Sequence, residues 1–418
     1  MPRRLPPVLR QRDYALLWSS MLVTAVGTQM VAVAVGWQVY GIAHDPFDLG
    51  LIGLAEFAPL PLLALPAGHL ADRLPRKLVV SVALALETAV PALLVVVSLA
   101  GASSLWPYLA LAFATGVASA FSTPAARALF PELVQPDLLA SALALRSIAG
   151  QAAVVGGPAL GGVLFAVRPE LVYGVATALF AAGLACALAL RPARATSAAE
   201  QPAPGLARLL AGIGFIRRTP VILGAISLDL FAVLFGGAVA LLPVFAQSVL
   251  HTGPAGLGVL RSAPAAGALV AGVLIARRPL RGGAGRTLLA VVAVFGASMV
   301  VFGLSRWLPL SLAALAVSGF ADMISMNIRS TTVALATPDA VRGRVLAVEM
   351  VFVSASNELG AFESGAAAAL LGAVPAVVAG GALTVAIAAL WARLFPPLAR
   401  VDRLEELRPP FVTEPELR

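Results

Sequence analysis

Reactive side chains are scarce in this sequence: it has one cysteine, one lysine and three histidines. A lone Cys186 excludes an internal disulfide and a thiolate metal site; set in an apolar run, it reads as a helix-packing residue. Lys77 lies between Arg76 and Leu78, so the Gly-Lys-Ser/Thr of a phosphate-binding loop is missing, and any pumping must draw on an ion gradient or a separate ATPase. His44, His69 and His251 stand in separate loops or loop edges without the spacing of metal ligands. The expectation is therefore no metal, no cofactor and no enzyme. Charge is also sparse, at 12% of residues against about 25% in soluble domains. With 60% hydrophobic residues and a mean hydropathy of +0.93, most of the 418-residue chain has lipid as its solvent. The net charge of +8 does not point to nucleic acid, because the bases punctuate apolar runs and form no stripe interleaved with aromatics.

What the sequence has in abundance is long apolar runs. A membrane-crossing helix needs about 20 apolar residues. The first run, Tyr14 to Tyr40, follows Arg3, Arg4, Arg10 and Arg12; it is too long for the core of a signal peptide and is expected to remain as a helix. Further runs cover 49–70, 78–100, 105–126, 139–166 and 171–190, then 220–250, 256–276, 287–304, 308–329, 345–371 and 373–395. The fold class is thus all-α integral membrane, with about twelve spans. Arg168 and Arg306 fall in loops assigned to the outside, and Arg146 and Arg261 fall within runs. Every other base lies in a tail, a cytoplasmic loop or its edge. The positive-inside rule then puts both termini in the cytoplasm of a bacterial-type inner membrane.

The expected division is an N-tail (1–13), a six-helix bundle (14–190), a cytoplasmic linker (191–219), a second six-helix bundle (220–395) and a C-tail (396–418). The linker starts Pro/Ala-rich and ends in Leu206, Leu209, Leu210, Ile213 and Ile216, with Arg208, Arg217 and Arg218 alongside. This is the pattern of a short amphipathic helix on the inner membrane face. The halves are weakly symmetric. Tyr14 aligns with Val221, and the charged segment between runs two and three aligns with residues 277–286, which keep the bases but lack an acid.

The segment Gly68-His-Leu-Ala-Asp72-Arg73-Leu-Pro75-Arg76-Lys77 reads as a compact turn that could serve only to fix topology. Its arrangement resembles the G-x-x-x-D-R-x-x-R-K signature between helices two and three of major facilitator transporters. The Gly156-Gly157-Pro158-Ala-Leu-Gly161-Gly162 stretch resembles the antiporter motif of facilitator exporters, although Ala144 and Ala153 stand where the longer motif has glycine, and packing alone also accounts for it. Several blocks resemble the enterobactin-exporter family: Gly53-Leu-Ala-Glu56-Phe-Ala-Pro59, Pro124-Ala-Ala-Arg127, Ser227-Leu-Asp229-Leu, Leu260-Arg261-Ser-Ala-Pro264, Ala321-Asp322-Met323, Arg342-Gly-Arg344 and Asn357-Glu358-Leu-Gly.

This resemblance implies two six-helix bundles around a central cavity and export of a small molecule coupled to proton entry, by a monomer in contact with membrane lipid. Siderophores and amphipathic drugs both remain open as substrates, and a passive channel is a more distant alternative. It also implies that Asp72 sits near Arg342 and Arg344 in one gating state. Independently of family, ionisable residues inside the membrane are costly and mark functional candidates. The acids are Glu56, Glu87, Asp229, Asp322, Glu349, Glu358 and Glu363, and the bases Arg146 and Arg261. Asp229 lies roughly 12–14 Å into its run, near the midplane. It is the expected proton carrier, shared with Asp322. Glu56, Glu358 and Arg261 are the other cavity candidates, whereas Glu87, Glu349 and Arg146 are expected to make structural contacts.

Overall fold

The computed structural model describes residues 6–191, 206–278 and 282–407. The Pro/Ala-rich part of the linker, 192–205, lies outside the described residues. Twelve helices among those described are long and apolar enough to cross a membrane, and no strand occurs among them. A helix is the form in which an apolar segment satisfies its backbone N–H and C=O groups without water. Proline punctuates the starts: Pro46, Pro59, Pro107, Pro169, Pro220 and Pro309 occupy first-turn positions, where the missing N–H costs nothing.

Two compact units result. Unit 1 comprises Met1–Ala203 with Ala246–Ser262. Its helices are α1 (Arg12–Ala43), α2 (Pro46–Phe57), α3 (Pro59–Arg73), α4 (Arg76–Leu99), α5 (Trp106–Glu132), α6 (Leu139–Val167) and α7 (Pro169–Ala189). Helix α1 packs on α6 and α7, and α4 on α5 and α7. The end of the unit that carries the Arg76–Lys77 bases is closed by Tyr14, Leu17, Val80, Leu129 and Phe130, and the Tyr14 hydroxyl donates to the Ala142 carbonyl at 2.9 Å.

Unit 2 comprises Pro204–Phe245 with Ala263–Arg418. It contains α8 (Leu206–Arg218), α9 (Pro220–Gly236), α10 (Leu242–Val244), α12 (Ala284–Leu304), α13 (Leu308–Ala336), α14 (Asp339–Leu371), α15 (Ala373–Leu394) and α16 (Pro396–Ala399); α11 (Gly253–Arg277) begins in unit 1 and continues here. Leu228, Leu288, Val292, Ile328, Ile387 and Trp391 form its core. Asp402, beyond α16, accepts from the Gly283 N–H at 2.6 Å and so caps the start of α12.

Four departures from the sequence reading matter. The second span is two helices, broken at Ala58, because Pro59 cannot donate to the Ala55 carbonyl. The break lies beside Gly116 of α5, where an added Cβ would stand 2.0 Å from the Glu56 carbonyl oxygen. The seventh span is continuous only to Gly236; after Gly237 it passes through a 3-10 turn (Val239–Leu241), α10 and a π-helical turn (Phe245–Val249). Helix α13 runs seven residues past Arg329, and α14 starts at Asp339, six residues before the expected 345. Finally, α8 is docked and does not only lie against lipid. Ile213 and Ile216 meet Val345 and Val348 of α14, and a Cβ on Gly212 would lie 3.0 Å from the Arg344 carbonyl oxygen.

Candidate functional site

The extension of α13 changes which charges are inside the membrane. Arg329, placed by the sequence reading at a helix edge, stands about 10 Å before the end of α13 and is 5% exposed. Its Nη1 donates to Asp229 Oδ2 on α9, and its Nε lies 3.7 Å from Glu349 Oε1 on α14. Asp229 and Glu349 are each 7% exposed. Glu349 is expected from the sequence to make a structural contact. It is ten residues, about 15 Å, from the start of α14 and turned to the guanidinium.

Asp322 and Ser325 precede Arg329 by seven and four residues on α13, on the same helix face. Asp322 borders a small cleft of about 10 Å³, room for about one water, that Asp229 and Ser325 also line; Val291, Val292 and Phe295 of α12 supply its apolar wall. Arg329 attracts all three carboxylates, and Asp322 and Glu349 both repel Asp229. One fixed cation thus faces three acids in low-dielectric surroundings. Leaving all three ionised is expensive in such surroundings. Asp229 is fixed from behind by α15, whose Trp391 Nε1 donates to Ser227 Oγ at 3.1 Å and whose ring packs edge-on to Phe231.

Unit 1 brings together a different pair. Glu56, in the last turn of α2, feels the charge of Arg261 on α11, and Arg261 Nη1 reaches the Ala32 carbonyl of α1 at 3.4 Å. Glu358 is half-buried on α14, nine residues beyond Glu349. Glu87 accepts from Ser122 at 3.1 Å, and Arg146 lies 5.4 Å over the Phe130 ring.

The segment expected as a turn is mostly helical: Gly68, Asp72 and Arg73 belong to α3, Leu74 and Pro75 make the link, and Arg76 and Lys77 open α4. The surroundings of Gly68 and Asp72 lie outside the described residues. Lys77 Nζ donates to the Leu188 and Leu190 carbonyls at 2.7 and 2.6 Å, capping the end of α7. Arg342, expected beside Asp72, forms a 2.6 Å ion pair with Asp339 one turn away. In the glycine motif of α6, added Cβ atoms show three close approaches. Gly157 would meet Gln29 Cβ at 2.7 Å, Gly161 would meet Met30 Cα at 2.9 Å, and Gly162 would meet the Pro254 carbonyl at 2.5 Å. Pro158 joins them, its carbonyl oxygen 2.4 Å from where a Cβ on Gly258 would stand.

A helical protein with twelve membrane spans, built as two bundles with buried charge and no cluster of metal-ligating side chains among the described residues, has the architecture of a membrane transporter of the major facilitator fold. The family model of transmembrane secretion effectors, a branch of that superfamily, matches residues 5–416, and the chain belongs to this family. Comparison with curated protein sequences gives no significant match. Among solved structures, a bacterial homologue of the human lysosomal transporter Spinster is similar with a TM-score of 0.73 at 16% identity, covering 95% of this chain and 98% of that one. A POT family transporter in complex with 5-aminolevulinic acid gives 0.72 at 11% identity, with 93% and 97% covered. A bacterial homologue of the iron transporter ferroportin gives 0.65 at 17%, with 93% and 99% covered. At such identities the likeness is one of fold.

Proposed function

We propose that the protein is a proton-coupled exporter of a small molecule, working as a monomer by alternating access in a bacterial inner membrane with both termini in the cytoplasm. The observation that carries this reading is the buried set of Asp229, Asp322 and Glu349 around Arg329. Protonation of one acid removes a charge from a site that cannot solvate it, which couples proton uptake to conformation. Outward direction is supported by the family description and by the Gly157–Gly162 motif. The basic segment of Gly68, Asp72, Arg73, Arg76 and Lys77 serves as the gate in this reading. Glu56 and Arg261 form a second charged pair, within the first unit.

Siderophores and amphipathic drugs are the two substrate classes. The test uses everted membrane vesicles energised with a pH gradient. A panel of amphipathic cations and a catecholate siderophore is added while gradient dissipation and substrate uptake are followed. Asp229→Asn should abolish uphill transport and leave downhill exchange. Uphill transport by Asp229→Asn with the pH dependence of the wild type refutes the assignment of Asp229.

A further inference from the structure

We propose that Arg329 is a two-position cation: paired with Asp229 in the state described here, it passes to Glu349 when Asp229 is neutralised. The proposal rests on the proton-coupling reading and names the element that responds to the proton. Three observations carry it. Arg329 is buried, yet its Nε has no hydrogen-bond partner among the described residues. The carboxylate paired with this nitrogen, Glu349 Oε1 at 3.7 Å, is about half an ångström beyond hydrogen-bond reach. Glu349 is 7% exposed and turns its carboxylate to that nitrogen. A buried, unpartnered donor therefore faces a carboxylate with the hydrogen bond just unmade, while the same guanidinium is engaged by Asp229. The planar fork of five donors can serve either carboxylate with a small rotation of the side chain.

The two acids belong to different helices, so the exchange carries force between them. Asp229 is on α9, the helix that Trp391 and Phe231 fix against α15. Glu349 is on α14, one residue from Val348, which packs against the linker helix α8. The other charged group facing the guanidinium is Asp322 of α13 itself, whereas α12 presents Val291, Val292 and Phe295. A proton arriving on Asp229 removes the attraction of α9 for Arg329. The guanidinium then closes on Glu349 and draws α13 and α14 together; release of the proton reverses the step. No covalent bond changes other than the O–H bond of Asp229. Neutralisation near the midplane is thereby transmitted to the end of α14 that holds α8.

The experiment is cryo-electron microscopy of the full-length protein in lipid nanodiscs, with wild type at acidic and alkaline pH and the Asp229→Asn variant at neutral pH. In Asp229→Asn and in acidic wild type, a nitrogen of Arg329 should lie within hydrogen-bond distance of Glu349. Arg329 remaining on residue 229 in both samples, with Nε still apart from Glu349, overturns the proposal. Should Asp229→Asn fail to fold, the two wild-type samples decide. A stability measurement supplies an independent readout: in the Asp229→Asn background, Glu349→Gln should lower the melting temperature by more than it does alone, because Arg329 then loses both partners. Equal shifts in the two backgrounds count against the exchange. The coupling reading fails separately. If Arg329 moves but a pH gradient drives no transport, the two-position cation stands and the coupling does not.

Discussion

Gly156 and Gly157 are neighbours in one motif, yet alanine should have opposite consequences at the two positions. A Cβ on Gly156 meets nothing within 4 Å. A Cβ on Gly157 would lie 2.7 Å from Gln29 Cβ and 3.1 Å from the Val26 carbonyl oxygen, both on α1. Carbon atoms rest at about 3.5–4.0 Å, so α1 and α6 would have to part by roughly an ångström at their crossing. Because α1 is the helix that joins α6 to α7, the strain cannot be relieved by moving a single flexible side chain. Overpacking of this kind costs about 1–3 kcal/mol. For a cooperative unit of this size, each kcal/mol corresponds to roughly 2–4 °C, so Gly157→Ala should lower the melting temperature by about 2–12 °C. Gly156→Ala should be neutral or raise it slightly, through helix propensity. Cys186, in α7 of the same unit, provides the assay: a thiol-reactive fluorogenic dye reads its exposure as detergent-solubilised protein is heated. Equal shifts for the two variants would refute the reasoning that α6 uses particular glycines for close approach.

Two further outcomes are expected. Lys77→Met removes the cap on the Leu188 and Leu190 carbonyls and should cost about 1 kcal/mol, discounted for partial exposure, while Lys77→Arg keeps most of it; an unchanged melting temperature for Lys77→Met argues against the cap. Arg329→Met strands two buried carboxylates and should cost about 3–5 kcal/mol. Adding Asp229→Asn and Glu349→Gln should recover much of that loss, and a triple variant as unstable as the single one would show that the charges do not interact as described.

The spans were legible because a membrane imposes one requirement, a long apolar run, that sequence displays directly. Breaks were legible in principle: Pro59 with Pro61, and Gly236-Gly237 with Pro243, are signals that hydropathy averages away. Arg329 was missed for a related reason. It sits among Ser325, Asn327, Ser330, Thr331 and Thr332, a polar stretch that looks like the approach to a loop. The spacing of Asp322 and Arg329, seven residues apart on one helix face, was the available sign that the helix continues with a charged stripe turned inward. Asp229 stands out by its depth and its family-like block, but its partner on α13 and its rival on α14 depend on helix rotation, which no apolar run records. The tie between Lys77 and the end of α7 joins positions more than a hundred residues apart and leaves no local trace.

That tie has a practical consequence. Lys77 carries the only side-chain amine in the sequence, and its nitrogen is spoken for by two carbonyl oxygens. An acylating reagent attacks only a deprotonated, unencumbered amine, so its rate at this position measures how often the start of α4 comes away from α7. The measurement needs no engineered label, since a single modified peptide in a mass spectrum reports it. Run with and without a pH gradient, or across candidate substrates, the acylation rate becomes a clock for the basic end of the first bundle in otherwise native protein.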